Sequence, residues 1–212
     1  MFPDTLTAIA LGALLGLRHA TDSDHVVAVT AIVSRERSLA RAAGIGALWG
    51  VGHTITLLVV GGAIVTFRLV IPPRVGLALE FGVALMLIVL GFTNLRARDD
   101  APRAAIRPFL VGLVHGLAGS AAVALLVLAT IRGTFEALAY LFVFGVGTIA
   151  GMTAVTMLLA APTLFAGARV SRFQSGIRLA AGALSIAFGL MLARELIVDG
   201  GLFAAVPAWD PR

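Results

Sequence analysis

Five ionisable side chains crowd into the run Arg18-His19-Ala20-Thr21-Asp22-Ser23-Asp24-His25, where His19, Asp22, Asp24 and His25 combine imidazole with carboxylate. That combination is a partial nitrogen and oxygen ligand set for a divalent transition metal. On a continuous helix turning about 100° per residue, His19, Asp22 and His25 share one face, while Asp24 points away from His25. Arg18 and Asp22 stand at i and i+4 and read as a mutually neutralising pair. The other two histidines are His53, in Gly50-Val51-Gly52-His53-Thr54, and His115, in Gly112-Leu113-Val114-His115-Gly116. Small neighbours let another helix approach His53, which reads either as a metal ligand or as a helix–helix hydrogen bond. His115 has no acid beside it, and ligand and packing readings stand level. The candidate metal residues are therefore His19, Asp22, Asp24, His25, His53 and His115. Glu80, Glu136 and Glu195 read as interfacial, Arg194-Glu195 as a solvated pair and the methionines as packing.

The elements that must position these groups are membrane helices. The chain has 212 residues, 59% of them hydrophobic and 13% charged, with a mean hydropathy of +1.02. Soluble domains carry about a quarter charged residues, so lipid is the expected solvent. A spanning helix needs roughly 20 apolar residues, and six such runs are present: Leu6–Val33, Ala40–Phe67, Val75–Leu95, Pro108–Ile131, Phe135–Ala161 and Ile177–Val198. All four histidines fall inside them. His19 lies roughly 18 Å into its span at 1.5 Å per residue, where a charged side chain costs about 2.5–3.5 kcal/mol unless it faces protein or water. The first run is long for one crossing, and Thr21, Asp22, Ser23 and Asp24 are all N-cap types. A continuous helix and one broken at Thr21–Asp24 both fit. The apolar start carries Asp4 and no basic residue, and reads as a retained helix rather than a signal peptide. The expectation is an all-α integral membrane protein, a single transmembrane domain over residues 1–212.

Two further patterns bear on topology. Arg35, Arg37, Arg41, Arg96, Arg98, Arg103, Arg107, Arg169, Arg172 and Arg178 follow spans one, three and five, against Arg68, Arg74, Arg132, Arg194 and Arg212 on the other side. Positive charge accumulates in cytoplasmic loops, which places both termini outside the cytoplasmic membrane. An internal repeat relates Gly16-Leu17-Arg18-His19 to Gly112-Leu113-Val114-His115, and Trp49-Gly50-Val51-Gly52-His53 to Phe144-Gly145-Val146-Gly147-Thr148. Spans three and six share only a loose glycine correspondence, Gly82 with Gly182. Three spans per copy invert the second, so the six helices form a 3+3 inverted repeat (about 5–95 and 108–198), an arrangement that places binding sites at the repeat interface.

Composition also excludes chemistries. Without Cys there are no disulfides, thiolate metal sites or redox Cys pairs. Every basic residue is Arg, so there is no P-loop lysine and no Schiff base. The net charge of +5 sits in short loops and speaks for membrane topology, with no nucleic-acid partner. An intramembrane enzyme built on Ser120 and His115 lacks the flanking glycine pattern, and no His-Glu-x-x-His zinc signature occurs. Axial haem ligation by His pairs is arithmetically open, but paired aspartates are poor company for haem.

The run from Arg18 to His25 resembles the His-x4-Asp-His signature of the nickel/cobalt transporter family, including its preceding Arg and internal Asp. Leu48-Trp49-Gly50-Val51-Gly52-His53-Thr54 is similar to that family's second motif. The resemblance implies metal selectivity and transport for His19, Asp22, Asp24 and His25, with a supporting role for His53. The family's usual eight spans and its later acidic motif are missing. The residues from Gly112 to Ala121 look more like shorter permeases of the same superfamily, often linked to urease nickel supply. The functional expectation is a secondary permease, not an enzyme, for Ni2+ or Co2+ as transported substrate and with no organic cofactor. Export through the same site is the alternative. The expected partners are the ion, the bilayer and a nickel or cobalt enzyme system; a homo-oligomer is compatible with the sequence.

Overall fold

The structure, a computed structural model, describes residues 5–34, 36, 38–96, 106–117, 131, 133–165 and 171–209. Within them the chain is all-helical: α1 (Thr5–His19), α2 (Ser23–Val33), α3 (Leu39–Phe67), α4 (Pro73–Arg96), α5 (Arg107–His115), α6 (Thr134–Phe165) and α7 (Ser171–Val198). Among the described residues, four apolar stretches are long enough to cross a membrane: Leu39–Phe67, Pro73–Arg96, Thr134–Pro162 and Ser175–Val198. They match the second, third, fifth and sixth expected spans. The first expected span is not one helix but two, α1 and α2. Of the fourth, only α5 and the turn after it are described; residues 118–130, Ser120 among them, lie outside the described residues.

Local sequence explains the ends. Ser38 caps α3 with its hydroxyl, which accepts from the Arg41 amide at 3.4 Å, and α3 closes on Arg68 in the left-handed conformation (φ 51°). Pro72 and Pro73 then start α4, Pro73 as its first residue, where a missing N–H costs nothing. Leu14, Val59, Val89, Phe142, Leu158 and Leu190 are exposed, a greasy outer surface of the kind that lipid covers.

Helix α3 packs on α6 and α5, α1 on α6, and α4 on α7, while α2 touches α4, α6 and α7. Glycines set these crossings, because a missing side chain lets two backbones meet. A Cβ on Gly16 would run into the Phe144 carbonyl and lie 2.9 Å from the Thr148 amide nitrogen. A Cβ on Gly112 would run into the Trp49 carbonyl and lie 2.9 Å from the His53 amide nitrogen. Gly147 meets Ala13, and Gly52 meets Phe109, in the same reciprocal way. Between α4 and α7, a Cβ on Gly91 would fall 2.6 Å from the Gly182 carbonyl, and one on Gly189 2.7 Å from the Ala84 carbonyl. Gly82, by contrast, faces open space.

After α7 the chain folds back over the start of α4. Gly201 (φ 63°) makes the bend, and the Ala208 amide donates to the Gly200 carbonyl at 3.0 Å. Arg74 donates to the Ala204 and Ala205 carbonyls at 3.0 and 3.2 Å. The Trp209 indole N–H donates to Glu80 at 2.9 Å, and Gly76 leaves room for the ring. Glu80 is thus buried beneath this strap. Arg194 reaches Asp199 at 3.7 Å.

Candidate metal centre

The motif sits at a break. Helix α1 ends on His19, and the Thr21 and Asp22 amides donate to the Arg18 and His19 carbonyls at 2.8 and 3.1 Å, closing a tight turn. The Thr21 hydroxyl also donates to the Arg18 carbonyl at 2.6 Å, satisfying an acceptor the helix end leaves open. Asp22 is extended (φ −60°, ψ 146°) and is the N-cap of α2, but its carboxylate makes no cap bond. That carboxylate accepts instead from His19 Nδ1 at 2.8 Å. Asp24 stands in the first turn of α2, where the helix dipole favours a negative charge.

The break corrects the single-face geometry. On a straight helix His19 and His25 would stand about 9 Å apart along the axis; here their ring centroids are 4.5 Å apart. Asp24, expected to point elsewhere, accepts from the His25 backbone amide at 2.9 Å and from His25 Nδ1 at 3.0 Å, both through Oδ1. Its Oδ2 accepts from His115 Nε2 at 2.9 Å. The expected Arg18–Asp22 pair does not form: Asp22 serves His19, and Arg18 is exposed.

All six candidates meet. The four imidazoles are at most 5% exposed. His53 comes from α3 and His115 from the end of α5. His19 Nε2 and His53 Nε2 lie 3.2 Å apart, and the His25 and His115 rings meet at a tilt with centroids 4.3 Å apart. Two overlapping triads, His19–His25–His53 and Asp24–His25–His115, each bring one ligand atom per residue within 4.8 Å of the others. The acid that His115 lacks in sequence is supplied across the fold by Asp24.

Sequence reasoning passed over two neighbours. Trp49 lies 5.4 Å from His25 and 5.7 Å from His115 between ring centroids, and Phe144 lies 5.4 Å from His19. Both are fully buried and wall the cluster with aromatic surface. The available signal was their place in the two short segments that the expected repeat aligns, where Trp49 stands opposite Phe144. His25 Nε2, His53 Nδ1, His115 Nδ1 and Trp49 Nε1 are buried without a hydrogen-bond partner. Buried polar atoms are seldom left so. Here three of the four belong to imidazoles of a donor set suited to nickel, cobalt, copper or zinc.

Fold and site together define an all-helical, multi-pass membrane protein with a buried imidazole–carboxylate centre. The chain is 34% identical over 220 residues to the urease accessory protein UreH of Bacillus sp. (strain TB-90), covering 94% of this chain and 96% of that protein. It belongs to the family of that accessory protein and is not an enzyme. It is also 22% identical over 214 residues to the chloroplast protein FOR GROWTH AND FERTILITY 2 of Arabidopsis thaliana, covering 89% of this chain and 56% of that protein. No family model and no solved structure matches the chain.

Proposed function

We propose that the protein is a secondary permease that carries Ni2+, Co2+ or both across the cytoplasmic membrane, supplying a nickel enzyme such as urease. The observation that carries this reading is the meeting of four buried imidazoles and two carboxylates from α1, α2, α3, α5 and the α1–α2 turn. The relative's name, urease accessory protein, supports nickel as the cargo. Imidazoles replace hydration water around the ion, and the site must release it again, as any conducting site must. The membrane potential, about 2.3 kcal/mol per charge per 100 mV, favours inward movement of a cation; proton exchange on the same groups is a second source of drive.

The proposed arrangement has six spans in a 3+3 inverted repeat, α1 and α2 forming a broken first span and α5 opening the fourth. The reciprocal glycine crossings support it: Gly16 on Phe144 and Thr148 mirrors Gly112 on Trp49 and His53. Arg distribution supports extracytoplasmic termini.

Labelled nickel in right-side-out vesicles tests the function. The wild type accumulates the ion, and His25→Ala and His53→Ala fall to background. Accumulation unchanged in both variants removes the site, and net loss from preloaded vesicles reverses the direction to export.

A further inference from the structure

We infer that Asp22 and Asp24 do not bind the ion but hold the imidazoles that do, so that the cargo is bound by nitrogen alone. This rests on the permease reading above. An ionised carboxylate only accepts hydrogen bonds. The ring nitrogens facing it, Nδ1 of His19, Nδ1 of His25 and Nε2 of His115, therefore carry the protons. In a neutral imidazole the opposite nitrogen is then the lone pair: Nε2 of His19, Nε2 of His25 and Nδ1 of His115. The last two are the buried atoms left without a partner. Metal-binding histidines characteristically donate their second N–H to a carboxylate, and here three of four do.

The remaining contact fits the same assignment. His19 Nε2 and His53 Nε2 are 3.2 Å apart, the separation of two nitrogens each about 2.1 Å from one ion at an angle of about 100°. Replacing that hydrogen bond by an ion requires the His53 proton to move to Nδ1, which is buried and has no other partner. Asp24 has a further task. It joins His25 of α2 to His115 of α5 through its two oxygens, and so sets ligands from two distant parts of the chain in one geometry. Two carboxylates just behind neutral ligands balance the charge of a divalent ion without offering the oxygen that Mg2+ or Mn2+ prefers.

The test uses the full-length protein in detergent or nanodiscs, loaded with Co2+ for its visible spectrum and with Ni2+ for X-ray absorption. The wild type shows imidazole nitrogen scattering with no carboxylate oxygen at bonding distance, and excess Mg2+ leaves the Co2+ spectrum in place. Asp22→Asn and Asp24→Asn keep the Co2+ band positions while affinity falls about 10–100-fold, and Asp24→Glu recovers part of that loss. His25→Ala shifts the bands. A carboxylate oxygen bound to nickel in the wild type, or bands displaced as far by Asp24→Asn as by His25→Ala, overturns the inference alone. Failure of the wild type to bind either ion overturns the permease reading and this inference with it. The wild-type absorption spectrum decides even if an Asn variant does not fold.

Discussion

His25 shows most clearly how one residue joins chemistry to architecture. Its Nδ1 is tied to Asp24, its ring lies at a tilt against His115, and its Nε2 is buried with no partner. His25→Ala is expected to abolish nickel-dependent thermal stabilisation, measured as the Tm shift of purified protein with and without NiCl2. Arg18→Gln is expected to leave that shift intact, because the exposed Arg18 is not the partner of Asp22. Acid opposes binding, since proton and metal ion compete for one imidazole lone pair. Nickel titrations at stepwise lower pH should therefore show Kd rising as pH falls; a flat profile would argue against imidazole ligation. The four histidines and two aspartates were legible as candidates because charge inside an apolar run stands out. Their pairing was not, since no local rule links Asp24 to a histidine beyond residue 100.

At the scale of the element, a broken helix and bare helix faces do the positioning. The turn at Thr21–Asp22 separates α1 from α2 and folds His19 back onto His25. Its N-cap residue types were visible in the sequence, but the spacing alone fitted a straight helix equally well. Gly16 and Gly112 allow the α1–α6 and α3–α5 backbones to touch. Gly16→Val or Gly112→Val forces the backbones apart, at a cost of about 1–3 kcal/mol, and should lower the Tm. Gly82→Ala faces open space and should be neutral, or stabilising by up to about 1 kcal/mol through helix propensity. Equal losses at all three positions would mean that these crossings do not hold the fold together.

Across the whole molecule, segments far apart in sequence are fastened at both the centre and the edge. The strap after α7 hangs on Arg74 and on the bond from Trp209 to the buried Glu80. Trp209→Phe keeps most of the ring but removes one donor from that carboxylate, which should cost about 1.5–3 kcal/mol and expose residues 199–209 to protease. Limited proteolysis followed by mass spectrometry reads this directly; unchanged cleavage would show that the strap is held by other contacts. That Trp209 covers Glu80 was not legible in the sequence, because a tail of about ten residues carries no periodic signal saying where it lands.

Composition and periodicity alone determined that this chain is a helical membrane protein, where most of its long apolar helices run, and which side chains are too costly to bury without purpose. Those conclusions depend on transfer free energy and on local geometry, which are written residue by residue. Only the tertiary structure decided that the first span turns at Thr21–Asp22, that Asp24 answers both His25 and His115, and that Gly91 and Gly189 mark the α4–α7 crossing. The turn is one of two locally allowed backbones and the other two are contacts between segments distant in sequence, so each choice is made only once the helices are packed.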